Sequence, residues 1–172
     1  MQPIYLDYNA TTPIAPEVVD AMLPYLREHF GNASSAHVYG SRAHDAIERA
    51  RGVVGELLNT DAESIVFTAG GTESNNLAIE GVWRAHRANG GLRNHIVISA
   101  VEHPAVVEVA RWLEGQGARI SILPVDAHGR VDGADLEREI GSDTLLVSVM
   151  HANNEVGTLQ PIAELTAIAH RH

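Results

Sequence analysis

The stretch HIVISAVEHPAVVEVARWLEGQGARISILP, residues 95–124, reads as strand, helix, strand. His95 to Ala100 is a short aliphatic run without polar alternation, the pattern of a strand buried on both faces. Pro104 suits the start of a helix, because a first-turn proline gives up an N–H that has no intrahelical partner. That helix runs to Gly115, and Arg119 to Pro124 is the next strand. The connection is short, so strand and helix alternate.

The same alternation continues in both directions. On the amino side, Ile65-Val66-Phe67 reads as a buried strand. Ala69-Gly70-Gly71-Thr72 follows it, then a helix with Leu77, Ala78, Gly81, Val82 and Ala85 on one side. On the carboxyl side, Asp132 caps a short helix through Ile140, Thr144 to Met150 is a strand, and Pro161 opens a last helix. Farther upstream, Pro16 to Phe30 carries Val18, Met22, Leu26 and Phe30 at fourfold spacing. Gly31-Asn32-Ala33-Ser34-Ser35 breaks it, and Ala43, Ala46, Ile47, Ala50, Val54, Leu57 and Leu58 then share one helical face. The expected class is α/β, a mostly parallel sheet with helices on both faces. Residues 1–15 form an N-terminal arm with a turn at Thr11-Thr12-Pro13, and residues 16–172 form one domain. The last helix has no stop signal, which is read as a chain that continues.

Composition removes whole classes of chemistry. All 12 basic residues are arginine, against 22 acidic ones, giving a net charge of -10. With no lysine and no cysteine, the chain offers neither an ε-amine for covalent carbonyl chemistry nor a thiolate nucleophile. The acidic balance and scattered arginines disfavour nucleic acid as a partner. No apolar run reaches the length of a membrane span, and the N-terminus lacks the basic and apolar regions of a secretory signal, so the expected compartment is the cytoplasm. The histidines form no HExxH motif or tight cluster, so no metal site is expected. No GxSxG elbow is present. Trp83 and Trp112 fall within helices and read as packing residues.

Three polar loops stand at strand ends. Gly70-Gly71-Thr72 lies between a strand and a helix, where backbone N–H groups at a helix start favour an anion such as phosphate. A turn with a threonine N-cap fits the same residues. Glu102-His103-Pro104 follows a strand directly, and ligands in open α/β sheets collect outside the strands' carboxyl ends. His103 there can stack on a flat ring or carry a proton, and it can equally cap the helix that follows. His151-Ala152-Asn153-Asn154-Glu155-Val156-Gly157 follows the fourth strand, though paired asparagines also form turns. One crevice served by all three loops is the economical reading.

These strings, in order and with their spacing kept, resemble the N-terminal part of cysteine desulfurases of the iron–sulfur or nitrogen-fixation type, in the class V branch of pyridoxal-phosphate enzymes. The resemblance rests on Tyr5 to Pro13, Phe30 to Ser35, Gly70 to Asn76, Val101 to Val106, Leu123 to Asp126 with Gly129-Arg130, and Val147 to Met150 with Asn153 to Thr158. It implies the large domain of the fold-type I transferase fold, present in part. It implies pyridoxal 5'-phosphate as cofactor, with Gly71 and Thr72 at its phosphate, His103 over its ring and moving protons, and Asn154 at the ring's 3-oxygen. It implies L-cysteine as substrate, L-alanine as product and sulfur passed on as an enzyme persulfide for iron–sulfur cluster assembly or other sulfur transfer. The implied partners are a second copy or a second chain completing the fold, and a sulfur-acceptor protein.

The departures are specific. Ala69 stands where the family has serine. The lysine that carries the cofactor, the aspartate at the ring nitrogen, the sulfur-bearing cysteine and the arginine for the substrate carboxylate all fall later in family members, so this chain is expected to be inactive alone. Selenocysteine lyase and class V aminotransferase are sibling alternatives. A non-catalytic chain that binds a phosphate ligand or a partner is the alternative of another class.

Overall fold

The computed structural model describes residues 3–172, so Met1 and Gln2 of the expected arm lie outside the described residues. The chain divides into two compact units, Met1–Phe67 and Thr68–His172. In the second unit, helix α3 (Gly71–Ala88) precedes strand β1 (His95–Ser99), helix α4 (Pro104–Glu114), strand β2 (Arg119–Leu123), helix α5 (Gly133–Glu139), strand β3 (Thr144–Ser148) and helix α6 (Ile162–Ala169). The three strands pair in the order β2-β1-β3, all parallel.

β1 is the middle strand, and all five of its residues are buried. Successive strand side chains point to opposite faces, which divides the core in two. Ile96 and Ile98 pack with Ile79 and Trp83 of α3 and with Val106, Val109, Ala110 and Leu113 of α4. Val97 faces the other way, joining Leu123, Val131, Leu136, Ile140, Leu165 and Ile168 around α5 and α6. Full burial of each such aliphatic side chain is worth about 1.5–3 kcal/mol. The expected parallel α/β sheet with helices on both faces is therefore present, built on three strands.

A buried polar knot ties the amino ends of the strands. The His95 ring is fully buried, with Nδ1 2.9 Å from Thr144 Oγ1 on β3 and Nε2 2.8 Å from Ser121 Oγ on β2. Ser121 donates its hydroxyl proton to Glu139, so its oxygen accepts from His95 Nε2–H. Thr144 Oγ1 accepts the Gly141 N–H at 2.9 Å and directs its own proton to His95 Nδ1. One neutral imidazole thus bonds to both neighbouring strands.

In the first unit, helix α1 (Pro16–Arg27) and helix α2 (Val38–Leu58) are followed by a 3-10 turn at Ala62–Ser64. The Phe30–Ser35 string makes a close turn. A Cβ on Gly31 would stand 2.2 Å from the Tyr39 carbonyl oxygen, and one on Gly40 would stand 2.1 Å from that of Ser35. Only glycine permits that backbone approach. His37 caps α2 by accepting the Gly40 N–H on Nδ1 at 3.3 Å.

Four expectations need correction. Ile65-Val66-Phe67 is not a strand, and Val66 and Phe67 are exposed. A strand exists through its ladder, and no described strand pairs with this segment. Arg51 holds it instead, donating to the Ile65 carbonyl and lying 5.1 Å from the Phe67 ring centre. Second, α1 stops at Arg27, because the N–H groups of Glu28 and His29 both turn back to the Pro24 carbonyl. Third, the strand expected over Thr144 to Met150 ends at Ser148, and the Met150 N–H goes to the Glu102 carboxylate instead of a strand partner. Fourth, Trp83 is buried as a packing residue, but Trp112 is 44% exposed under the Arg84 guanidinium.

Candidate functional site

All four residues singled out from the sequence, Gly71, Thr72, His103 and Asn154, lie in the second unit. Gly71 and Thr72 open α3, His103 stands on the loop that follows β1, and Asn154 on the loop that follows β3. The chain passes from the carboxyl end of α3 through residues 89–94 into the amino end of β1. With α3 packed on α4 against the sheet, its first turn therefore points toward the strands' carboxyl ends, where the other two loops emerge.

Gly70, not Thr72, is the N-cap of α3, and Thr72 sits at the second helical position with its side chain exposed. The threonine-cap alternative is thus excluded. The first backbone hydrogen bond back to the cap comes from Ser74, at 3.1 Å from the Gly70 oxygen. The N–H groups of Gly71, Thr72 and Glu73 have no partner among the described residues, as expected for the first turn of any helix. The loop is braced from beneath. Glu73 accepts the Ala69 N–H at 2.6 Å, and Thr68 Oγ1 lies 2.7 Å from Ser74 Oγ. A Cβ on Gly70 or Gly71 would meet no atom within 4 Å, so it would fill only the open space before the helix. Free N–H groups, a free hydroxyl and two bare glycines suit an anion of phosphate type.

His103 caps α4, with Nδ1 accepting the Ala105 N–H at 3.0 Å. The plain capping reading is therefore correct, and it has a chemical corollary. An Nδ1 that accepts leaves the neutral ring's proton on Nε2, and the exposed ring presents that N–H outward. Capping fixes the ring rather than consuming it.

The two asparagines divide their tasks. Asn153 shapes its loop, accepting the N–H groups of Glu155 and Val156 on Oδ1 at 2.9 Å each. Its Nδ2 donates to the Val101 carbonyl at 3.2 Å, two residues before His103 in the chain. Asn154 is exposed, and its side chain makes no hydrogen bond among the described residues. The loop is a small hairpin, with an antiparallel bridge between Ala152 and Leu159 and Asn153 N–H bonding to the Thr158 carbonyl. Buried Gln160 fastens its base, accepting the Val131 N–H at 2.9 Å and donating to the Gly129 carbonyl at 2.6 Å.

Glu102 was missed in the sequence. Its Oε1 accepts both the Ser99 hydroxyl at 2.7 Å and the Met150 N–H at 2.5 Å. The His103 and Asn154 loops are thus joined by two direct links, while Gly71 and Thr72 are positioned by helix packing alone. The serine three residues before Glu102 was the available signal, in the spacing of a side chain that reaches back to a turn. Among the described residues, no three His, Asp or Glu side chains are placed to hold a metal ion, and no helix is long and apolar enough to cross a membrane.

The chain matches the family Aminotransferase class-V over residues 4–172. It is 49% identical over 164 residues to cysteine desulfurase IscS 1 of Archaeoglobus fulgidus, covering 95% of this chain and 42% of that protein. Among solved structures it resembles a NifS-like protein with TM-score 0.90 and 37% identity, over 95% of this chain and 44% of the other. It also resembles SspA in complex with cysteine, with TM-score 0.89 and 36% identity, over 98% of this chain and 48% of the other. The chain therefore spans less than half the length of the proteins it matches.

Proposed function

Because this chain belongs to the class-V aminotransferase family, we propose that it forms the cofactor cup of a cysteine desulfurase acting on L-cysteine. The observation that carries the reading is the set of unpartnered donors on the first turn of α3, beside loops that bear a fixed imidazole and a free amide. The relatives' names support the activity. A structural neighbour described in complex with cysteine supports the substrate.

In this reading the N–H groups of Gly71, Thr72 and Glu73, with the Thr72 hydroxyl, bind the cofactor phosphate at the positive end of the helix. His103 would face the ring and could handle a proton at Nε2, the nitrogen left outside the cap. Asn154 would donate from Nδ2 to the ring's 3-oxygen. Pyridoxal 5'-phosphate, when bound, supplies an electron-withdrawing ring that stabilises negative charge at the substrate α-carbon. Covalent attachment needs a lysine and sulfur transfer a cysteine, and the 172 residues contain neither. The chain's part is to bind, orient and protonate, and the chain alone is inactive.

The test is sulfide release. The purified chain with pyridoxal 5'-phosphate and L-cysteine is expected to match a no-protein control. Adding a polypeptide that carries the remaining portion of the Archaeoglobus fulgidus relative is expected to give sulfide, and His103→Ala in this chain to abolish it. Sulfide release by the chain alone, or none from the pair when both are folded and associated, would contradict the reading. The absence of lysine and cysteine also favours a second reading, a non-catalytic chain that binds a phosphate ligand.

A further inference from the structure

We propose that Glu102 is a positioning residue that, with Asn153, sets His103 and Asn154 in one fixed relation before any ligand arrives. The proposal rests on the cofactor-cup reading for its purpose but not for its geometry.

β1 ends at Ser99 and β3 at Ser148, so the parallel ladder stops where the two loops diverge. Beyond that point nothing in a ladder would keep the loops together. The half-buried Glu102 carboxylate takes over. One oxygen accepts from Ser99 at the end of β1 and from the Met150 N–H just past the end of β3. The second crosslink runs the other way, from Asn153 Nδ2 to the Val101 carbonyl. Val101 and Glu102 on one loop thus grip Asn153 and Met150 on the other. His103 follows Glu102 directly, and Asn154 follows Asn153 directly. Neither of these two outward residues takes part in the grip, which leaves both free for a ligand. A carboxylate acceptor strengthens its hydrogen bonds relative to a neutral one, and two such bonds on one oxygen define a narrow geometry.

Two substitutions separate positioning from mere stability. Glu102→Gln keeps an oxygen for both donors. Asn153→Asp keeps the oxygen that accepts from Glu155 and Val156 but loses the amide that reaches Val101. The experiment is residue-resolved amide hydrogen exchange on the full 172-residue chain without ligand, followed by titration with pyridoxal 5'-phosphate. Glu102→Ala is expected to speed exchange at Met150 about tenfold or more, with Val97 and Ile98 in β1 unchanged, and to weaken binding about tenfold. Glu102→Gln is expected to restore both to within about twofold, and Asn153→Asp to weaken binding with the Glu155 and Val156 amides still protected. Unchanged Met150 exchange in Glu102→Ala, or equal acceleration at Val97 and Ile98, overturns the proposal. Exchange that behaves as expected in a chain that never binds pyridoxal 5'-phosphate upholds the clamp and overturns the cofactor reading.

Discussion

At His103 a structural and a chemical task coexist, because the ring has two nitrogens. Nδ1 is committed to the Ala105 N–H, and Nε2 remains for a ligand. Thr72 is simpler, since its hydroxyl has no hydrogen-bond partner among the described residues. Thr72→Val is therefore expected to leave the melting temperature unchanged and to weaken pyridoxal 5'-phosphate about tenfold, read by calorimetric titration. Unaltered affinity would remove Thr72 from the site. His95 makes a different prediction. Burial first, and the Arg119 guanidinium second, hold its pKa below the ordinary 6.5, with Asp143 and Glu139 pulling the other way. The unfolded chain then binds this proton more readily than the folded one. Stability from His95 is full above about pH 6.5 and falls as pH drops below that value toward the lowered folded pKa. Thermal melts across pH 8 to 5 are expected to show the decline. His95→Gln is expected to cost about 1–3 kcal/mol at pH 8 and to flatten it. A wild-type curve without that slope would contradict this account of the knot.

At the scale of elements, β1, α4, β2 and β3 were legible because aliphatic runs, Pro104 and short connections are local signals. The capping of α5 by Asp132, whose side chain accepts the Ala134 N–H, was legible for the same reason. What stayed hidden depends on distant partners. Glu102 meets a residue 48 positions away and Asn153 one 52 positions away, so no window of sequence distinguishes Asn153 from Asn154. Ile65-Val66-Phe67 has the composition of a strand, but composition supplies no neighbour. The stability of α4 makes the matching prediction. Leu113 is fully buried against α3 and the sheet, whereas Leu92 is 87% exposed. Leu113→Ala is expected to cost about 2–5 kcal/mol by chemical denaturation. Leu92→Ala should stay within about 0.5 kcal/mol of wild type. Equal effects would mean that the core is not where it is drawn.

At the scale of the whole molecule, the structure divides after Phe67 into two compact units. The apolar patterning explains part of this. The second unit closes two cores, but α1 buries none of its residues and keeps Val18, Val19, Met22, Tyr25 and Leu26 exposed. A helix stripe reports the need for a covering surface without naming it. The central claim belongs to the second unit, namely that one cup is served by three loops. The most direct measurement is the two-dimensional amide spectrum of the chain titrated with pyridoxal 5'-phosphate. Perturbations are predicted at Gly71, Thr72 and Glu73, with His103 and Asn154 moving at the same ligand concentration, and weaker effects with pyridoxal lacking the phosphate. Perturbations confined to other surfaces, or equal responses to both compounds, would contradict the account.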